Sequence, residues 1–369
     1  MRSKPRGNPL HHALRISLDN LPPDLLACIN LSIESVLAVT PKTFSVYEPL
    51  LLLPAHTFAA QPWTTLFHEL DPLMKESLLS KVALEMKVTH IAVNAPIALT
   101  NSDAIEENVQ RRPDITPLYG DFESFVSSQT PTQEDFDDAF WVSTRQNGIV
   151  QTWAPLYTMF SRGNITEKAR ILTSPSVQQT QGCTVVDLYA GIGYFAFSYA
   201  KTGASAVLGF ELNPWSTEAC RRGSQANGWT CKVMKDVEDD HRTGSDDAIP
   251  KLLIYELSNE HAGPVVDKHR EKLSPVRHVN LGLLPTSRAA WRTAVQCLDP
   301  VLGGWLHVHE NFGIKEIPDK AAETTGKIAE LAQECRLVNW KVVLEHVERV
   351  KTYAPGVMHC VLDICLQPG

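Results

Sequence analysis

The sequence predicts an α/β fold: a mostly parallel sheet with an antiparallel C-terminal hairpin, plus a smaller N-terminal α+β region. Three observations predict it. From Val177 onward, apolar and β-branched runs alternate with helix-like segments, the rhythm of βα units. Those runs are apolar throughout instead of alternating, as strands covered on both faces are. The chain closes on two long strand-like stretches joined by Ala354-Pro355-Gly356, a connection short enough only for antiparallel neighbours.

In the N-terminal part, Leu25–Val36 and Leu73–Met86 have helical apolar spacing and Thr89–Ala95 reads as a short strand. Residues 127–138, polar and acidic with a proline, read as a surface loop or linker. After it, Cys183–Leu188 is a buried strand, Phe195–Lys201 a helix and Ala206–Phe210 a second strand. Ser216–Asn227 is a helix capped by Ser216 and stopped by Gly228 in the left-handed region. Lys251–Tyr255, His278–Leu284 and Trp305–His309 supply further strands, Ala321–Cys335 a helix, and Lys341–Lys351 with Val357–Leu366 the final hairpin. Residues 232–249 are acidic and read as a solvated insertion. A division into residues 1–140 and 141–369 follows, in keeping with a length of 369 residues and about 150 residues per domain.

Composition narrows the function classes. With 43% hydrophobic and 21% charged residues the chain is an ordinary globular one with core enough to need no metal or disulfide staple. A net charge of −8 argues against indiscriminate polyanion binding but leaves room for a local basic face. Of the eight cysteines, no two are spaced C-x-x-C, so no zinc ribbon is expected and the thiols read as reduced, in a cytoplasmic or nuclear protein. The longest apolar run, near Leu50–Ala60, is broken by Pro54 and His56 and is too short for a bilayer. Arg2, Lys4, Arg6 and Arg15 precede the first acid, Asp19; a loose basic terminus is the reading preferred to a presequence.

Chemistry concentrates at Val185-Val-Asp-Leu-Tyr-Ala-Gly-Ile-Gly-Tyr-Phe-Ala-Phe197. A strand ends near Asp187, Gly191 and Gly193 form a tight turn, and a helix begins. Glycine there lets a ligand approach the backbone, and the site lies at the carboxyl end of a strand, where open α/β sheets bind ligands. Glu211, 18 residues beyond Gly193, ends the next strand and can accept hydrogen bonds from two ribose hydroxyls. Ala196 fits the G/A variant of a dinucleotide fingerprint. The Asp-Leu-Tyr-Ala-Gly-Ile-Gly run, however, resembles the first motif of class I S-adenosylmethionine (SAM)-dependent methyltransferases more than a nicotinamide site. Asn213-Pro214-Trp215 is similar to an amino-methyltransferase motif but follows the second strand, not the fourth, and reads as a turn.

Several segments together resemble the tRNA wybutosine-synthesizing protein 2 family in its fungal form. They are residues 146–155 (QNGIVQTWAP), 159–164 (MFSRGN), 167–170 (EKAR), 187–193, 279–287 (VNLGLLPTS) and 303–311 (GGWLHVHEN), with a weaker likeness at 113–122. The resemblance implies a Rossmann-like, class I methyltransferase-like fold and a tRNA(Phe) 4-demethylwyosine aminocarboxypropyltransferase. Such an enzyme moves the 3-amino-3-carboxypropyl arm of SAM to the tricyclic base beside the anticodon and releases methylthioadenosine. It implies cofactor contacts at Ser161 and Lys168, a ribose contact at Glu211, and adenosine contacts at Ser258 and Asn259, where the family's acid is replaced by Ser258; Asp236 is the rival position. SAM is the co-substrate, no metal is expected, and tRNA(Phe) is the partner of a monomer, met partly by the N-terminal region and by residues near Arg162 and Arg170. Trp153, Tyr157 and Phe160 could stack a base, though such aromatics are more often core. His307 and His309 share one strand face, as ordinary hydrogen-bonded histidines or as bases; no catalytic base is assigned. Guanosine methylation, an inactive SAM-binding scaffold and, more remotely, a nicotinamide oxidoreductase are the competing functions.

Overall fold

The computed structural model describes residues 7–94, 115–123, 126, 128, 130–237, 248–336 and 340–369. They fall into two compact units, residues 1–144 with 154–159, and residues 145–153 with 160–369. In the first, α1 (Pro9–Asp19), α2 (Leu25–Cys28), α3 (Ile33–Ala38), α4 (Trp63–Glu69) and α5 (Pro72–Met86) accompany the sheet β1 (Ser45–Tyr47), β2 (Leu50–Leu53), β3 (His90–Asn94) and β4 (Ile115–Tyr119), ordered β1-β2-β3-β4. The apolar stripes of α1 and α5 bury Leu10, Leu14, Leu78 and Val82 against Leu51, Leu53 and Ile91, each such side chain contributing about 1.5–3 kcal/mol. Asn8 and Asp71 cap the first turns of α1 and α5, each followed by proline.

The single helix expected over Leu25–Val36 is two, because Asn30 turns into the left-handed region at φ 54° and Ser32 starts α3 with a reciprocal cap to Ser35. The expected linker contains a helix, α6 (Gln133–Asp138), nucleated by the Thr132–Asp135 capping box. The basic N-terminus is not loose throughout: Arg15 lies in α1 and pairs with Glu34. Its first six residues lie outside those described, as do residues 95, 113–114, 127, 129 and 238–247 of the segments noted above.

A hairpin of β5 (Val142–Gln146) and β6 (Ile149–Trp153) leads to α7 (Ile165–Thr173) and α8 (Pro175–Gln179). Then follow β7 (Thr184–Asp187), α9 (Ala196–Lys201), β8 (Ala206–Phe210), α10 (Pro214–Ala226), β9 (Cys231–Met234), β10 (Leu252–Tyr255), α11 (Ala262–His269), β11 (Val276–Leu281), α12 (Trp291–Cys297), β12 (Gly304–Gly313), α13 (Ile317–Arg336), β13 (Trp340–Ala354) and β14 (Val357–Pro368). The sheet order is β13-β14-β12-β11-β7-β8-β10-β9. Strands β9 to β12 are parallel to β7 and β8, and β14 runs antiparallel to both β12 and β13, as expected from the terminal hairpin. Val186, Leu208, Val279 and Leu306 bury one face of the sheet. Val185, Val207 and Ile254 bury the other with Phe197 and Tyr199 of α9.

Two details differ from expectation. Strand β9 opens the segment read as a solvated insertion and forms the outer edge of the sheet. Helix α10 begins at Pro214, with Asn213 as the cap accepting from the Trp215 amide; proline fits the first helical position better than Ser216 fits the cap. Gly228 is left-handed, φ 75°, as expected. The chain leaves β7 for β8 on one side and returns to β11 on the other, so the carboxyl end of β7 is the topological switch point.

Candidate active site at the carboxyl end of β7

The two turn glycines adopt φ 53° (Gly191) and 84° (Gly193), a region costly for any residue with a Cβ. A Cβ on Gly191 would meet the Tyr194 ring at 2.9 Å and one on Gly193 the Phe197 ring at 2.5 Å. The turn therefore requires glycine first for its own conformation and packing, and ligand approach is a consequence. Glu211 completes it: one carboxylate oxygen accepts from the Gly191 amide at 2.9 Å and the other from Asn213 N–H at 2.8 Å. Asp187, fully buried, accepts from the Tyr189 amide and from the Asn280 side-chain amide. Burial pushes its carboxyl up to about 6 against those hydrogen bonds, with Glu211 adding like-charge repulsion. Sequence reading assigns no role to Asp187 or Asn280; a lone acid at the end of an apolar strand is the available signal.

The other expected contacts gather around the same turn. The Tyr194 hydroxyl accepts from the Ser161 amide at 3.1 Å. Lys168 is buried, 3% exposed. Its ammonium donates to Gln146 Oε1 at 2.6 Å and Gln151 Oε1 at 2.7 Å and lies 5.1 and 5.6 Å from the Phe160 and Tyr194 ring centres. All these partners are neutral, and among the described residues Lys168 has no carboxylate partner. Burial lowers its pKa to about 8. On the adenosine side, Asn259 donates to the Leu188 carbonyl at 3.0 Å and Ser258 caps the short turn that follows β10. Asp236 is exposed beyond the edge strand β9. The structure thus brings Ser161, Lys168, Gly191, Gly193, Glu211 and Asn259 together around the turn, with Ser258 adjoining Asn259; Asp236 follows β9 at the same carboxyl end of the sheet, where Met234 pairs with Tyr255 of β10.

Arg170 is not available to a nucleic acid: its guanidinium is held by Glu167 at 2.7 Å and Asp363 at 2.5 Å. Trp153 and Phe160 stack on each other at 4.4 Å, and the Tyr157 hydroxyl accepts from the Val126 amide. His307 bridges His278 at 2.9 Å and Asp363 at 2.7 Å, a structural ladder. His309 differs, as its Nε2 is buried without a partner. Among the described residues no cluster of His, Cys, Asp and Glu could hold a metal ion, and no helix is long and apolar enough to cross a membrane.

Residues 143–261 match the family model described as TRM5/TYW2 methyltransferase domain. Across 327 residues the chain is 39% identical to tRNA wybutosine-synthesizing protein 2 of Schizosaccharomyces pombe, spanning 88% of this chain and 72% of that one. The chain belongs to the tRNA wybutosine-synthesizing protein 2 family. Its Saccharomyces cerevisiae relative of the same name is 36% identical over 75% of this chain and 60% of its own length. The solved structure of Pyrococcus horikoshii TYW2 in complex with MeSAdo aligns with a TM-score of 0.59 at 19% identity, covering 98% of this chain and all of the other. Pyrococcus abyssi Trm5b aligns at 0.54 and 15%, covering 89% and 76%. Family members share the class I methyltransferase fold seen here, and the chain is a transferase of that class.

Proposed function

We propose that this protein transfers the 3-amino-3-carboxypropyl group of SAM to the 4-demethylwyosine base beside the anticodon of tRNA(Phe), as a monomer, releasing methylthioadenosine. The observation that carries this reading within the family is Lys168: a buried ammonium with only neutral partners calls for an anion, and the SAM arm ends in a carboxylate. SAM supplies a sulfonium whose attached carbons are all electrophilic. The Gly191–Gly193 turn and Glu211 hold the ribose, and Asn259 and Ser258 border the adenine side. Ser161 and Lys168 would hold the arm, and transfer of the arm instead of the methyl requires that the γ-carbon be the atom presented to the nucleophile. The residues at the turn fit SAM: the Glu211 carboxylate is an acceptor suited to hydroxyl donors, and Asp187 Oδ2 is buried with no partner.

Mass spectrometry of the small coproduct, after incubation with SAM and tRNA(Phe) carrying 4-demethylwyosine, tests the reading. Methylthioadenosine is expected. S-adenosylhomocysteine would overturn it in favour of guanosine methylation. SAM binding without turnover would favour a scaffold, the reading suggested by Ser258 standing where an acid is usual.

A further inference from the structure

Three strands carry one polar row beside the arm-binding segment. Asn311 on β12 pairs directly with His359 on β14, and His359 pairs directly with Lys351 on β13. Residues paired in this way share a sheet face, and His309, two positions before Asn311, shares it too. Both amide atoms of Asn311, Nε2 of His309 and Nδ1 of His359 are buried without a hydrogen-bond partner. Buried polar atoms without partners are few in folded proteins, and four in three adjoining side chains form a concentration. Two further contacts locate the row. The His309 ring packs 4.8 Å from Phe195, which follows the Gly191–Gly193 turn, and the Lys351 side chain covers Gly163, between Ser161 and Lys168.

The donor and acceptor inventory points to one ligand class. His309 Nδ1 and His359 Nε2 bond each other at 3.0 Å. Burial keeps both rings neutral, lowering His309 well below its usual range and His359 to about 4, the latter with help from Lys351. Whichever ring donates in their mutual bond, the pair then presents one N–H and one lone pair outward. Asn311 presents an NH2 and a carbonyl, and Lys351 a positive charge. Two donors with a cation suit a carboxylate; two acceptors suit an ammonium. The set matches an α-amino-acid zwitterion.

We propose that Asn311, His309, His359 and Lys351, together with Lys168, form the seat of the amino-acid end of the SAM arm. This inference rests on SAM being the ligand and deepens the proposed function, since an arm anchored on β12 and β14 is one whose γ-carbon is presented consistently. Calorimetric titration of the full chain with SAM and, separately, with methylthioadenosine tests it, because the second ligand lacks the arm. Asn311→Leu and Lys351→Met should each weaken SAM about tenfold, the effect of one charge-assisted hydrogen bond. Methylthioadenosine binding should stay within about twofold, which also reports an intact fold. Equal loss of both ligands, or no loss of either, would overturn the proposal; so would unchanged SAM affinity with a weakened affinity for tRNA, which would give the row to the acceptor base. A wild-type enzyme releasing S-adenosylhomocysteine would overturn the transfer reaction, while the SAM-against-methylthioadenosine comparison would still decide on the seat by itself.

Discussion

Replacing Lys168 with methionine should separate cofactor binding from fold stability. In the free protein burial lowers the Lys168 pKa from 10.5 to about 8, which at about 1.4 kcal/mol per unit means that the charged form is disfavoured by about 3 kcal/mol. The sign follows from linkage: a lysine with a lowered folded pKa costs stability below pH 8, and that cost fades as pH rises toward 10.5. Methionine removes the cost but strands the Gln146 and Gln151 carbonyl oxygens that accept from the ammonium, at about 1–3 kcal/mol. The two nearly cancel, so the urea midpoint at pH 7.5 should barely move. SAM affinity should fall at least tenfold while methylthioadenosine affinity holds. Because a bound carboxylate raises the lysine pKa, SAM binding should take up a proton above pH 8, and affinity should fall from pH 8 to 9.5. The amino group of SAM titrates in the same range, so the readout is the difference between wild type and Lys168→Met in calorimetry across buffers of different ionisation heat. Identical proton linkage in the two proteins, or parallel loss of both ligands, would refute the assignment of Lys168 to the arm.

Other perturbations act on the adenosine half. Glu211→Ala removes the acceptor of the Gly191 and Asn213 amides as well as the proposed ribose contact. SAM and methylthioadenosine should then weaken together, by about 1–3 kcal/mol, and titration with each ligand checks that they do. For Asp187, held up near 6, the folded state binds more protons than the unfolded one between about pH 4 and 6, so its contribution to stability falls as pH rises through that window. Asp187→Asn keeps an acceptor for Tyr189 and Asn280 and loses this dependence. Its denaturation midpoint should exceed that of wild type at pH 7.5 and converge with it near pH 4.5.

The fold is legible because its strongest signals are local. Apolar strands such as Val185–Asp187 and Ala206–Phe210, glycine stops such as Gly228, and the Ala354-Pro355-Gly356 turn each encode their own geometry. Expectation and structure part where capping competes with apolar spacing. Asn30 and Ser32 cut one periodic stretch into two helices, Thr132 and Asp135 draw a helix from an acidic run, and Pro214 moves the start of α10. In the site, Gly191, Gly193 and Glu211 can be read directly, since a tight turn and an acid after the next strand are separated by one helix and one strand. Ser161 and Lys168 come only through resemblance, because no local pattern tells a buried lysine from the many exposed ones. The row of Asn311, His359 and Lys351 is out of reach, as its members meet only through strand register.

The arm side of the site is built differently from the adenosine side, and the difference bears on reaction choice. In the proposed assignment, backbone amides and Glu211 hold the adenosine end within one βαβ unit, a device that any protein with that turn can share. Helix α7 carries Lys168, and Arg170 on the same helix clamps Asp363 of β14 while Asp363 also holds His307 of β12. Burial would raise the Asp363 carboxyl, but His307 and Arg170 outweigh it and hold it well below the usual carboxylate range, so this is a fully engaged buried pair; removing one partner would strand the other. Through that clamp the position of Lys168 is set by the same two strands that carry His309, Asn311 and His359. An enzyme that must offer the γ-carbon instead of the methyl needs the far end of the arm fixed relative to the sulfur. Tying both candidate arm contacts to one rigid strand pair supplies such a constraint, which the glycine turn alone does not.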